Sequence, residues 1–118
     1  MATSLLAISV DGSDITRLAE FWADVLGRPV SPGATASFAA IDTGSGLRLT
    51  FHRVPEGKTV KNRMHFDVAV RDCEPAEEVE RLEGLGATRI DIGQGDVPWT
   101  VMADPEGNEF CVLGRRIE

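Results

Sequence analysis

The sequence predicts an α+β domain in which a βαβββ module occurs twice. Three observations predict it. Apolar residues alternate with period two in several short stretches and recur at helical spacing in two longer ones. Landmarks in the first half return at matching places in the second. Between the halves lies a polar stretch, Val54-Pro55-Glu56-Gly57-Lys58-Thr59-Val60-Lys61-Asn62, which reads as a connection. The modules are expected at about residues 1–53 and 64–118, joined by 54–63, within a single domain of 118 residues.

Leu5-Leu6-Ala7-Ile8-Ser9-Val10 reads as the first strand, with Leu6, Ile8 and Val10 on one face. Asp11-Gly12-Ser13-Asp14 turns the chain, and Asp14 can accept from a backbone N–H of the first helical turn. Leu18, Phe21, Trp22, Val25 and Leu26 then recur at helical spacing. Gly27 supplies a left-handed stop, and Pro29 blocks continuation. Phe21 and Trp22 are consecutive, so one is expected on the sheet and the other at an interface. Strands follow at about Ser37–Asp42 and Leu47–His52, with Gly44-Ser45-Gly46 between them.

The second half repeats the order. Met64, Phe66, Val68 and Val70 alternate with His65, Asp67 and Ala69. A helix follows, with Pro75 in its first turn, Val79, Leu82 and Leu85 on its buried stripe, and Gly86 at its end. On its solvated face Glu77 and Arg81 have i,i+4 spacing. Strands are expected near Thr88–Ile92, Trp99–Ala103 and Glu109–Leu113. Asp104-Pro105-Glu106-Gly107 has the preferred residues of a type I turn. Ala7 lies seven residues before Asp14, as His65 does before Asp72, and Leu26-Gly27 matches Leu85-Gly86.

The formal net charge is −7, which argues against nucleic acid as a partner. No apolar run reaches membrane-spanning length, and the start lacks the pattern of a signal peptide. A cytoplasmic protein is expected, with Cys73 and Cys111 as free thiols.

Leu18-Ala19-Glu20-Phe21-Trp22-Ala23-Asp24-Val25-Leu26-Gly27 resembles the first-helix signature of the glyoxalase-like and bleomycin-resistance proteins of the vicinal oxygen chelate superfamily. Asn62-Arg63-Met64-His65-Phe66-Asp67-Val68 resembles the first strand of their second module. Asp104-Pro105-Glu106-Gly107-Asn108-Glu109-Phe110 resembles their final turn and strand. The resemblance implies the glyoxalase/bleomycin resistance/dioxygenase fold, in which two modules curl into a curved sheet cup. It implies a small-molecule ligand, often bound on a divalent metal, and a homodimer. Members include lyases, dioxygenases, epimerases, thiol transferases and metal-free drug binders, so the fold does not choose the function.

Carried over by position, the family's metal ligands fall at Ala7, approximately Arg48, His65 and Cys111. Ala7 has no donor atom, and Arg48 repels a cation. His65 and Cys111 therefore supply two, with Asp67, His52 or Glu109 as the remaining candidates for a third. A full family metal site is not expected, and a divalent metal stays open as a cofactor. His65 and Asp67 share a strand face, where Asp67 can orient His65 as a general base. Arg48, His52, Trp99, Glu109 and Cys111 are candidate ligand contacts: a bidentate cation, a rim imidazole, an aromatic wall, a carboxylate and a small thiol.

Three functions compete. A small-molecule binding protein needs apolar walls and no metal. A lyase, isomerase or epimerase would use His65 and Asp67, with or without a metal. A purely structural domain would have neither ligand nor pocket.

Overall fold

The computed structural model describes residues 2–117, and the chain divides into two units, Met1–Gly57 and Lys58–Glu118. The first contains β1 (Ala7–Gly12), α1 (Ile15–Leu26), β2 (Phe38–Asp42) and β3 (Arg48–Arg53). Its sheet runs β1-β3-β2, with β1 parallel and β2 antiparallel to β3. Asp14 caps α1 by accepting from the Arg17 backbone N–H at 3.2 Å, and Gly27 ends it at φ 63°. The amphipathic pattern of α1 buries Leu18, Phe21 and Trp22, while the strands bury Ile41, Leu49 and Phe51. Phe21 and Trp22 are both buried and meet edge to face at 5.2 Å. This corrects the expectation that one of them would be spare for an interface. β1 begins at Ala7 because its partner strand begins at Arg48. Leu5 and Leu6 have no strand residue opposite them and stay 74% and 72% exposed.

The second unit contains β4 (Phe66–Val70), α2 (Pro75–Leu85), β5 (Thr88–Arg89), β6 (Trp99–Ala103) and β7 (Glu109–Arg116). Its sheet runs β4-β7-β6-β5, with β4 parallel to β7. Pro75 occupies the first turn of α2, and Glu77 Oε1 accepts from the Glu74 backbone N–H at 3.2 Å. Arg81 forks onto Glu78 at 2.7 and 2.8 Å, so the pair seen is i,i+3. Val79 and Leu82 are buried where α2 packs on the sheet, whereas Leu85 is half-buried. Apolar burial of this kind is worth roughly 1.5–3 kcal/mol per large side chain.

β5 is shorter than its alternation suggests. Asp91 Oδ1 accepts from the Gly93 backbone N–H at 2.7 Å, and Gly93 at φ 85° turns the chain away from β6. β7 is longer than expected, running to Arg116. Gly114 permits this, since a Cβ there would overlap the Pro98 carbonyl oxygen.

The two units match rung by rung. In each, five residues separate the last rung of the final hairpin: Asp42 faces Arg48, and Ala103 faces Glu109. Val30, three residues after Gly27, makes a single bridge to Ile41, as Arg89, three after Gly86, pairs with Met102. The first post-helix strand is thus reduced to one bridge in the first unit. No helix among the described residues is long and apolar enough to cross a membrane.

Candidate active site

Strand pleating decides which residues of the second unit can form a site. Phe66, Met102, Phe110 and Val112 are the even-numbered residues of a face that packs inward. The odd-numbered residues point the other way. His65 and Asp67 come from β4 and its approach, Glu109, Cys111 and Leu113 from β7, and Trp99 and Val101 from β6. All seven line one pocket of about 420 Å³. Lys61, Ile92 and Gln94 complete it from the loops. Gln94 fixes its own loop, accepting from the Ile92 backbone N–H at 2.8 Å.

The register places Asp67 beside Cys111, and Cys111 beside Val101. His65 Nδ1 stands 3.0 Å from Asp67 Oδ1. A carboxylate only accepts, so Nδ1 carries the hydrogen and Nε2 is left for a ligand. Burial pushes the Cys111 thiol up from its ordinary range, and the neighbouring charge and hydrogen bond of Asp67 add to this. Cys111 therefore rests as a protonated thiol.

Glu109 is committed within the fold. Lys58 Nζ donates to Oε2 and the Asn62 backbone N–H donates to Oε1, both at 2.9 Å. Burial opposes the charge, but these bonds outweigh it and hold the carboxyl below the usual carboxylate range. Asn62 Nδ2 donates to Asn108 Oδ1 at 2.8 Å, and Asn108 is itself held by buried Asp104.

Arg48 and His52 belong to β3 of the first unit. Arg48 is exposed and lies between Ala7 and Asp42 in register. His52 Nε2 lies 3.3 Å from Thr50 Oγ1, and its ring meets Phe38 at 5.1 Å. The rung match makes Thr50, not Arg48, the counterpart of Cys111, and Ser9 the counterpart of Asp67. Ala7 corresponds to His65, as the sequence landmarks indicate.

Among the described residues, His65, Asp67 and Cys111 each offer a ligand atom, and these lie within 4.8 Å of one another. A nitrogen, an oxygen and a sulfur suit a borderline or thiophilic ion such as zinc and leave a fourth position open. The set is confined to one module. In the first unit Ala7 has no donor atom and Arg48 is a cation. The residues of the set fit a zinc-class ion, then, but not a hard cation that prefers oxygen donors.

Lys61, Ile92, Gln94, Val101 and Leu113 were not picked out by sequence. Val101 and Leu113 were reachable, since period two carries them from Trp99 and Cys111. The other three sit in loops without periodicity.

A family profile described as a glyoxalase-like domain matches residues 7–113. No curated protein matches the sequence at a significant level. Solved structures share the fold. A glyoxalase/bleomycin resistance/dioxygenase family enzyme from Burkholderia phytofirmans is 22% identical with TM-score 0.71, covering 93% of this chain and 97% of that one. A possible glyoxalase from Bacillus cereus is 20% identical with TM-score 0.69, covering 95% and 99%. The fosfomycin resistance protein FosX from Listeria monocytogenes, in complex with Mn(II) and 1S,2S-dihydroxypropylphosphonic acid, is 16% identical with TM-score 0.72, covering 100% and 94%.

Proposed function

The chain belongs to the glyoxalase-like domain family, and on that premise we propose that its second module binds a small organic molecule in the pocket between Trp99 and His65. One observation carries this reading: the apolar walls Ile92, Trp99, Val101 and Leu113 end at a polar group made by His65, Asp67 and Cys111. Such a site desolvates an apolar body and orients one polar group. Trp99 is 40% exposed and supplies a flat surface for an aromatic or branched aliphatic body. His65 Nε2, steadied through Nδ1 by Asp67, is left to accept from a ligand O–H or N–H.

Trp99 also reports on the test, because Trp22 is buried at 1% exposure. Aromatic and branched aliphatic acids, ketones and alcohols are titrated against tryptophan emission in wild type, Trp99→Phe and His65→Ala. A saturable change that disappears in Trp99→Phe and weakens in His65→Ala supports the reading. No saturable response to any compound at millimolar concentration contradicts it.

The 3.0 Å His65–Asp67 contact favours a second reading, an enzyme of the lyase, isomerase or epimerase kind. His65 Nε2 would take a proton from a bound substrate, and Asp67 would hold the imidazole in the tautomer that can accept it. If a metal takes part, His65, Asp67 and Cys111 would hold it, and it would polarise a substrate oxygen. Metal analysis of protein purified without added metal, followed by zinc titration of wild type and Cys111→Ser, separates the readings. Stoichiometric zinc lost in Cys111→Ser favours the metalloenzyme. Binding of organic ligand without metal favours the carrier.

A further inference from the structure

We propose that the pocket selects organic anions, and that Lys61 is the residue that selects them. The inference rests on the pocket being the ligand site and adds the ligand's charge. It follows from where each charge at the pocket goes. Glu109 has both oxygens taken, by Lys58 Nζ and by the Asn62 backbone N–H. Asp67 accepts from His65 Nδ1 at 3.0 Å and stands beside Cys111. Lys61 is the one lysine or arginine among the described residues that line the pocket. Its ammonium donates to the Asn62 carbonyl at 3.1 Å and pairs with no carboxylate among the described residues. Lys61 is thus a pocket cation in contact with no carboxylate among the described residues, while the Asp67 carboxylate, bonded to His65 Nδ1, remains the anion beside Cys111.

The same contacts hold Lys61 in place. On one side, Lys58 Nζ donates to the Val60 carbonyl as well as to Glu109. On the other, Asn62 is tied through its backbone to Glu109 and through its side chain to Asn108. Lys61 lies between two pinned residues, so its backbone loses little freedom when a ligand arrives. Glu109 pins the segment on both sides of Lys61. With apolar walls below, the matching ligand is an aryl or branched aliphatic acid: an apolar body ending in a carboxylate or similar anion. A point-like ammonium accepts such a group from several directions.

The test compares ligands alike in shape and different in charge. Phenylacetate, phenylacetamide and 2-phenylethylamine, with their naphthyl analogues, are titrated against Trp99 emission in wild type, Lys61→Gln and Lys61→Glu. Circular dichroism confirms that these exposed substitutions leave the fold intact. Wild type is expected to bind the acid at least about tenfold more tightly than the amide, a difference that shrinks with added salt. Lys61→Gln brings acid and amide within about twofold of each other, and Lys61→Glu prefers the amine. Equal affinity for acid and amide in wild type overturns the inference and leaves the pocket reading intact. So does an acid preference that survives Lys61→Gln. If no compound of the series changes Trp99 emission, the pocket reading falls and this inference falls with it.

Discussion

The same rung of the same sheet carries different chemistry in the two units. In the first, Ser9, Thr50 and Ala40 lie side by side across β1, β3 and β2. In the second, Asp67, Cys111 and Val101 occupy the matching places on β4, β7 and β6. The Ser9 and Thr50 hydroxyls bond each other at 2.6 Å, and Thr50 is buried at 6% exposure. Two hydroxyls satisfy one another without charge, and Thr50 Oγ1 also meets His52 Nε2 at 3.3 Å. In the second unit the Asp67 carboxylate meets the Cys111 thiol and also accepts from His65 Nδ1 at 3.0 Å, so that rung carries a charge and reaches beyond itself. Two rungs further along, on the same face, Phe38 meets His52 in the first unit, whereas Trp99 and Leu113 flank the pocket in the second. The scaffold is repeated, and the site is a matter of which residues stand on its outward face.

The largest test of the repeat is truncation on its inward face. Phe110 and Leu49 stand on matching rungs and are 0% and 5% exposed. Phe110→Ala is expected to cost about 3–5 kcal/mol and Leu49→Ala about 2–5 kcal/mol, read from urea unfolding midpoints. A loss below about 1 kcal/mol at either site would break the equivalence of the two cores.

Gly114→Ala tests a feature peculiar to the second unit. Its Cβ would overlap the Pro98 carbonyl oxygen, next to Trp99. The expected cost is about 1–3 kcal/mol, accompanied by a shift in Trp99 emission. Unchanged stability and emission would mean that β7 does not need the close approach.

The Lys58–Glu109 contact sharpens the comparison through pH. Arg48, the counterpart of Glu109, is exposed, whereas the Glu109 side chain is only 10% exposed. The Glu109 carboxyl is held below its ordinary range, so its contribution is present at and above the ordinary carboxylate range. It is lost as pH falls through the lowered value. Glu109→Gln should cost about 1–2 kcal/mol near neutrality, and the gap to wild type should close in acid. A gap independent of pH would remove the ionised latch from the account.

The smallest stability effect is expected from exchanging the rung itself. Asp67→Ser with Cys111→Thr gives the second unit the hydroxyl pair of the first. The fold should persist within about 1 kcal/mol, while the response of Trp99 to ligand is lost. Retained binding would show that the outward rung is not the site.

Much of this was legible in the sequence because its cause is local. Asp14, Gly27, Pro75 and Gly86 mark the helix ends by capping and left-handed geometry, and the structure follows them. Alternation alone places His65 and Asp67 on one face, with no need of strand pairing. What stayed hidden depends on register and on loops. Only the pairing of Asp67 with Cys111 makes a three-donor group, and no single strand encodes that pairing. The commitment of Glu109 to Lys58 spans 51 residues and joins a strand to an aperiodic segment. The shortness of β5 is set by turns at Gly93 and Gly95, which compete with a stretch that otherwise alternates.

The most direct measurement is a map of backbone amide NMR shifts as phenylacetate is titrated into the whole chain. Perturbations are expected to concentrate at Lys61, His65, Asp67, Trp99 and Cys111, with saturation at the same concentration as the Trp99 emission change. Little movement is expected at Ser9, Thr50 and Ala40 of the matching rung. Shifts centred on that first-unit rung, with the second-unit residues unmoved, would contradict it.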